Sequence, residues 1–202
     1  MRITEDRYTR ERIRFDLALR MIRYEARTCT IRSCTGLSDD RIRKLYKSYI
    51  ETNTGPRIRR RRGKSPRQVA YFTRSMQTQL EASLLTSCFA TFGVLKFYGD
   101  RPIPANTVEF GRSFCDAYEV YLGYQRQHFI SFEHAWFLRR VLAERVELCL
   151  DNCERCRSSF VCDPLSLDRR GCPLCRAKDV AVLLPHTNTG SRSAENRKPV
   201  IR

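Results

Sequence analysis

Two closely spaced cysteine pairs constrain this chain more than any other feature. Cys153 and Cys156 form the first pair, Cys172 and Cys175 form the second, and fifteen residues separate the pairs. Two residues between cysteines let both sulfurs of a tight turn face one ion, and a loop of this length brings the second pair round to complete a tetrahedron of thiolates. The spacing predicts one structural Zn²⁺ ion held by these four residues. Two disulfides or four unrelated thiols are the alternatives.

The cysteines are expected to lie in a reducing environment. No apolar run approaches the ~20 residues of a membrane span. The N-terminal segment MRITEDRYTRERIRF is too polar and charged to be a secretory signal. We therefore expect a cytoplasmic protein, in which ten cysteines favour metal binding over a disulfide framework.

Six cysteines lie outside the two pairs. Most of them are expected to be small buried core residues. Cys149 and Cys162 are close enough to the pairs in sequence to be alternative metal ligands. The six are Cys29, Cys34, Cys88, Cys115, Cys149 and Cys162.

The positive charge is concentrated in the first third of the chain. The net charge is +16, and residues 1–67 carry 20 Lys/Arg against 8 Asp/Glu. The remaining residues carry 18 Lys/Arg against 14 Asp/Glu. This imbalance favours a polyanionic partner, above all nucleic acid. Charge alone does not separate DNA from RNA or from an acidic protein.

The apolar spacing predicts a mainly α fold with a helix-turn-helix-like segment near the N-terminus. The first helix is predicted over residues 4–27, a short second one over 26–33 and a third over 38–50. A turn at 35–38 separates the second helix from the third. Gly36 supplies the backbone freedom that the turn needs, and Ser38 caps the third helix. Such a third helix can offer a basic face to the DNA major groove, although any short helical pair with a glycine turn looks similar. The candidate DNA-contacting residues on it are Arg41, Arg43, Lys44 and Lys47.

A basic arm follows this segment. Residues 55–67 hold seven positive charges and no acid, and Gly and Pro bound them. Like charges at this density repel one another in a helix, so we predict an extended or flexible arm that tracks phosphates or enters a minor groove. A solvated linker is the alternative. The candidate contacts in the arm are Arg57, Arg59, Arg60, Arg61, Arg62 and Lys64.

Three further helices are predicted, over residues 68–98, 107–124 and 131–150, with aromatic side chains that point to a core.

On these signals the chain divides into five parts: a helical region with the helix-turn-helix-like segment (1–54), the basic arm (55–67), a helical core for partner docking (68–150), a small four-cysteine zinc module (151–180) and a flexible tail (181–202).

Enzymatic activity is not expected. The chain has three histidines, none at the spacing of a catalytic metal site, and it has no HExxH, P-loop, GxGxxG or GxSxG motif. A zinc ion with four cysteine ligands leaves no open coordination position for a substrate water. We therefore predict a binding protein without catalytic residues.

Several segments in one order resemble the FlhC family, the zinc-containing subunit of the bacterial flagellar master transcriptional activator. The resemblance covers most of residues 10–176, and only the four cysteines are distinctive taken singly. The matching segments are Arg41-Ile42-Arg43-Lys44-Leu45-Tyr46-Lys47 after Gly-Leu-Ser, Gly63 and Pro66 ahead of Ala82-Ser83, Ala117-Tyr118 with Tyr121-Leu122, and Ala135-Trp136 ahead of the two cysteine pairs.

The resemblance implies an activator of flagellar promoters that works with FlhD in a heterohexamer of four FlhD and two FlhC subunits. It implies one structural zinc ion on the four cysteines, contacts to double-stranded promoter DNA that bends around the assembly, and recruitment of RNA polymerase carrying the housekeeping sigma factor. The chain departs from the family in two places. Residues 57–62 are more basic than the matching loop, and the tail after Arg176 has no clear match.

Two other functions fit the charge and the cysteines. An RNA-binding zinc-ribbon protein would prefer structured or single-stranded RNA, but the chain lacks the aromatic strand motif of an RRM domain. A zinc-stabilised protein-interaction adaptor would show no salt-dependent binding to any duplex.

Overall fold

The computed structural model of the chain describes residues 2–52, 58–96, 105–124, 127–166 and 171–183. The helices in these ranges are α1 (Arg2–Arg23), α2 (Thr28–Thr35), α3 (Asp39–Thr52), α4 (Met76–Thr91), α5 (Val108–Tyr124), α6 (Phe132–Glu144) and α7 (Pro173–Leu183). Strands β1 (Cys149–Asn152) and β2 (Ser159–Cys162) form an antiparallel hairpin between α6 and α7. The mainly α fold class is confirmed. None of the described helices has the length and apolar character to cross a membrane.

The predicted turn between the second and third helices is present. Gly36 ends α2 in the left-handed region at φ 67°, and its N–H donates to the Arg32 carbonyl at 2.9 Å. The Ser38 hydroxyl accepts from the Arg41 N–H at 3.4 Å at the start of α3. The first helix is shorter than predicted, because the chain leaves α1 after Arg23 and Glu25 takes a positive φ of 58°.

The prediction of one long helix over residues 68–98 is wrong. A short 3₁₀ turn, Val69–Phe72, is followed by a break and then by α4. Ser75 causes the break, because it is extended and its side chain accepts from the Thr78 N–H while the Thr78 hydroxyl accepts from the Ser75 N–H. The helix ends where Gly93 turns the chain at φ 70°. Residues 97–104 lie outside the described ranges.

The predicted helix over residues 131–150 is wrong at its C-terminal end. Ser131 caps α6 as expected, since its side chain accepts from the His134 N–H. Arg145 then takes a left-handed conformation at φ 56° and ends the helix. The residues that follow form β1, so Cys149 lies on a strand rather than on a helix.

Aromatic rings fill the centre of the helical body, and Phe114 of α5 lies among them. Its ring is 5.2 Å from that of Phe89, 5.1 Å from that of Phe132 and 5.1 Å from that of Trp136, measured between centroids. The first pair is stacked and the other two are edge-to-face, and both arrangements add stability beyond the apolar area they bury. The aromatic residues therefore form the core, as the sequence predicts.

Two buried carboxylates fasten loops to this core. Glu81 of α4 is fully buried and accepts from the Tyr121 hydroxyl at 2.6 Å and from the Phe129 N–H at 2.8 Å. Glu133 of α6 accepts from the Arg27 N–H at 2.7 Å and from the Thr30 hydroxyl at 3.2 Å. Burial raises the pKa of Glu133, although the hydrogen bond from Arg27 opposes this. Both carboxylates therefore accept hydrogen bonds at points where the chain changes direction.

Gly111 marks a close approach of α5 to the N-terminal helices α1 and α2. A Cβ at this position would lie 2.8 Å from the Cys34 Cβ and 2.8 Å from the Leu17 Cδ2. Gly123 lies on the same helix, is exposed, and has nothing within 4 Å of the equivalent point. Gly111 and Gly123 therefore provide a test position and a control position on the same helix.

We predict that Gly111→Ala destabilises the protein by about 1–3 kcal/mol, because the added methyl group overpacks a full core. Gly123→Ala should leave stability unchanged or raise it by up to about 1 kcal/mol, since alanine favours the helix. Urea denaturation of the two variants and the parent measures both changes. Equal stability of the two variants would show that α5 does not approach α1 and α2 this closely.

Candidate functional site

The first cysteine pair lies in the turn that joins β1 to β2. The Cys153 N–H donates to the Ser158 carbonyl at 3.0 Å, and the Arg157 N–H donates to the Cys153 carbonyl at 2.7 Å. Arg157 has a φ of 57°, a conformation that glycine adopts more easily. These bonds close the turn and bring Cys153 and Cys156 to the tip of the hairpin.

The second pair lies where α7 begins. Cys172 immediately precedes the helix, Pro173 is its first residue, and Cys175 is in its first turn. Proline suits this position, because its missing N–H has no partner in a first helical turn. The Arg176 N–H donates to the Cys172 carbonyl at 3.1 Å, which fixes the orientation of the turn.

The four sulfurs meet in one cluster, as the spacing predicts. The Sγ atoms of Cys153 and Cys175 are 3.7 Å apart, and those of Cys156 and Cys172 are 3.6 Å apart. All four lie within 4.8 Å of one another. Four thiolates about 2.3 Å from a central zinc ion would form a tetrahedron with edges of about 3.8 Å. The cluster can therefore hold a metal ion of this size as a structural site.

Cys149 and Cys162 are not members of this cluster. They lie opposite each other across the hairpin with their Sγ atoms 3.1 Å apart. The metal-compatible group found among the described residues consists of the other four cysteines. The option of either residue as an alternative ligand therefore has no support in the geometry.

The remaining cysteines mostly lie in the core, as predicted. Cys34, Cys88 and Cys115 are buried, and Cys29 is exposed. Burial raises the pKa of Cys34 to about 12, so its thiol keeps its proton at neutral pH.

Val161 of β2 joins the hairpin to the helical body by two hydrogen bonds. The Val161 carbonyl accepts from the Gln79 side-chain amide at 2.9 Å, and the Val161 N–H donates to the Ser83 hydroxyl at 3.0 Å. The Ser83 hydroxyl in turn donates to the Gln79 carbonyl at 2.7 Å. Sequence reasoning missed this junction. Its one signal in the sequence was a pair of polar residues four apart in α4, Gln79 and Ser83.

The outward face of α3 carries three of the four DNA-contacting residues that are predicted on this helix. Ile42 and Tyr46 are buried, whereas Arg43, Lys44 and Lys47 are exposed. The Arg43 guanidinium lies 2.7 Å from an Asp40 oxygen, and the Lys47 ammonium lies 3.8 Å from a Glu51 oxygen. Within the part of the chain that the structure describes, Lys44 has no ion-pair partner.

Arg41 lies at the edge of this face and contacts α1. Its guanidinium is 2.8 Å from a Glu11 oxygen and 5.9 Å from the centre of the Phe15 ring. The side chain is still 54% exposed. Arg41 therefore helps to hold α3 on α1 and leaves part of its charge accessible.

The described part of the basic arm, residues 58–67, lies against the body rather than extending freely from it. The Arg59 N–H donates to one Glu25 oxygen at 3.1 Å, and the Arg61 guanidinium lies 2.8 Å from the other. The Arg27 guanidinium donates to the Gly63 carbonyl at 2.6 Å. The chain from 58 to 68 has no helix or strand, so an extended arm is present. Of the two predicted forms, extended or flexible, these residues take the extended one, and Glu25 and Arg27 bind them.

The predicted arm residues differ in exposure. Arg59, Arg61, Arg62 and Lys64 are exposed, and Arg60 is half-buried with its guanidinium 3.4 Å from the Thr28 hydroxyl. Arg57 and residues 53–56 lie outside the described ranges.

The arm and α3 meet at the corner formed by residues 24–28. The Tyr46 hydroxyl of α3 donates to the Ala26 carbonyl, next to the Glu25 side chain that binds the arm. The structure therefore brings the two predicted basic segments to one place.

The comparisons with known proteins point to one family. The model of the flagellar transcriptional activator family FlhC matches residues 4–183 of the 202-residue chain. No curated protein matches the chain.

We predict that Cys153→Ser abolishes metal binding and lowers the unfolding temperature, because a structural zinc site contributes on the order of 10 kcal/mol to folding. Cys29→Ser is the matched control, since Cys29 is exposed and lies outside the cluster. Elemental analysis and thermal unfolding of both variants measure the effect. A Cys153→Ser protein that keeps one metal ion per chain would contradict the four-sulfur site.

Proposed function

Since the chain belongs to the FlhC family of flagellar transcriptional activators, we propose that it acts with FlhD to bind flagellar promoter DNA and to recruit RNA polymerase in the cytoplasm. The proposed assembly is the family heterohexamer of four FlhD and two FlhC subunits. The family is one of transcription regulators rather than enzymes. The observation that carries the DNA-binding proposal is the meeting of α3 and the basic arm at the corner of residues 24–28.

In this proposal α3 enters the major groove and the arm follows the phosphates or a minor groove. Arg43, Lys44 and Lys47 form the face that approaches the DNA, with Arg41 at its edge. The ion pairs of Arg43 and Lys47 are exposed, and such pairs contribute only about 0–1 kcal/mol. A phosphate can therefore replace their carboxylate partners at little cost.

The arm contributes Arg59 to Arg62 and Lys64, with Arg57 as a further candidate. Glu25 and Arg27 already hold its backbone near α3. Binding a prearranged arm loses less conformational entropy than ordering a free one. The arm therefore supports affinity for duplexes of any sequence, whereas base readout belongs to α3.

The metal in the four-sulfur cluster is proposed to be one Zn²⁺ ion with a structural role. Four thiolate ligands suit zinc and leave no position for a substrate. Cys153 and Cys156 would hold the hairpin tip, and Cys172 and Cys175 would hold the start of α7. The ion would thereby tie α7 to a hairpin that is itself joined to α4 at Val161.

The helical core over residues 68–150 is proposed to dock FlhD. Val120 and Tyr124 lie four residues apart on α5 and are 40% and 66% exposed. Phe129, in the loop that follows, is 45% exposed. Large apolar side chains exposed together are typical of a protein interface.

We predict that Arg61→Ala/Arg62→Ala weakens binding of the FlhD complex to every duplex and reduces the salt slope by up to about 1.8, or about 0.9 for each phosphate that the arm no longer neutralises. The matched control is Arg112→Ala/Lys178→Ala, which removes two exposed cations from other helices. Fluorescence anisotropy with a flagellar-promoter duplex and a scrambled duplex, at several salt concentrations, gives both slopes.

The parent complex should prefer the promoter over the scrambled duplex at every salt concentration. Equal slopes for the two double variants would place the arm away from the DNA. Equal affinity of the parent for both duplexes would contradict the promoter-binding proposal and favour a non-specific or RNA partner.

A further inference from the structure

The two cysteines at the open end of the hairpin form a pair that the metal site does not use. Cys149 is the first residue of β1 and Cys162 is the last residue of β2, and they are directly opposite in the antiparallel register. Their Sγ atoms are 3.1 Å apart, and the Cys162 thiol also donates to the Cys149 carbonyl at 3.7 Å.

The backbone already has the spacing that a disulfide needs. Directly opposed residues of antiparallel strands have Cα atoms about 4.5–5.5 Å apart. Disulfides join Cα atoms about 4.4–6.8 Å apart. The junction at Val161 holds β2 against α4, so the register beside Cys162 is fixed. A bond between the two sulfurs therefore requires no movement of the strands.

The pair is also accessible from solvent. Cys149 and Cys162 are half-buried and line a groove of about 700 Å³. The groove also contains Arg74, Asp151 and Asp163. Cys34 and Cys115, by contrast, are buried in the core. A small disulfide reagent can therefore reach this pair while the core thiols stay protected.

We propose that Cys149 and Cys162 form a reversible dithiol–disulfide pair that is oxidised by a low-molecular-weight disulfide of the glutathione type. The Cys149 thiol loses its proton to water, and its sulfur attacks the reagent to form a mixed disulfide and release one glutathione thiolate. The Cys162 thiol then loses its proton and its sulfur attacks Cys149, which releases the second thiolate. The two cysteines are oxidised, and one glutathione disulfide is reduced to two thiols.

The order of the two attacks follows from the surroundings of Cys162. Burial, and after it the hydrogen bond with the nearby Cys149, raise the pKa of its thiol to about 12. Cys162 therefore keeps its proton until the mixed disulfide has formed. Cys149 makes the first attack, and Cys162 resolves the intermediate.

The disulfide would protect the metal site. The bond would close the hairpin that carries Cys153 and Cys156 at its tip. Closing a loop of about 15 residues shifts the folding equilibrium by about a hundredfold in the chain-entropy model. The oxidised hairpin should therefore keep its register when the metal is removed, and it should release the metal more slowly.

The experiment uses the full zinc-loaded chain with glutathione disulfide as the reagent. We expect peptide mapping to find the Cys149–Cys162 link, with the linked peptides two hydrogen atoms lighter than their reduced forms, and zinc to stay bound. Zinc transfer to a chelator should be at least tenfold slower after oxidation.

Cys149→Ser and Cys162→Ser should abolish the link, and Cys29→Ser should retain it. Neither readout depends on DNA binding, so failure of the promoter assay leaves this test unaffected.

Three results would overturn the proposal. The first is a disulfide that includes Cys153, Cys156, Cys172 or Cys175. The second is zinc release in step with oxidation. The third is the absence of any Cys149–Cys162 link while Cys29 reacts with the reagent, because that shows an active reagent and an unreactive pair. Zinc binding by Cys149→Ser, measured before oxidation, confirms that the variant has folded.

Discussion

The C-terminal module depends on the two hydrogen bonds that join Val161 to α4. Val161 is fully buried, and both of its backbone polar groups bond to side chains of the helical body. Losing either partner would leave a buried donor or acceptor unsatisfied, which costs about 1–3 kcal/mol. Gln79 and Ser83 therefore fix the position of the hairpin, and the hairpin in turn presents two of the four clustered cysteines. Because α7 also packs against α4, the metal would close a ring of contacts from α4 through the hairpin and α7 back to α4.

The basic surface depends on a second set of polar contacts, at residues 24–28. Glu25 binds the arm, the Ala26 carbonyl accepts from Tyr46 of α3, and the Arg27 N–H donates to the buried Glu133 carboxylate. The corner is thus fastened to α6 on one side and carries both basic segments on the other. An acidic residue at the proposed DNA-binding surface is unexpected on charge alone, but Glu25 fixes the arm in space while leaving Arg62 and Lys64 exposed.

Local patterns predicted the metal site and the N-terminal helices well, because their signals lie within a few residues of sequence. The C-x2-C spacing identified the four-sulfur cluster, and Gly36 with Ser38 marked the turn before α3. The predictions of two long helices were wrong because capping residues interrupt these helices where the apolar spacing continues. Ser75 and Thr78 form a capping box inside one predicted helix, and Arg145 ends another in a conformation that the sequence does not signal. The contacts of Val161 with α4 and of Glu25 with the arm join distant parts of the chain, so patterns within a few residues of sequence could not reveal them.

Hydrogen–deuterium exchange of the complex with FlhD, with and without a flagellar-promoter duplex, tests the central claim most directly. If α3 and the arm form one DNA-binding surface, the duplex should slow exchange in residues 40–51 and 58–64 together. The core strand around Val161 should exchange slowly in both states. Protection confined to other helices, with residues 40–51 and 58–64 unchanged by the duplex, would contradict the claim and move the DNA to another face of the protein.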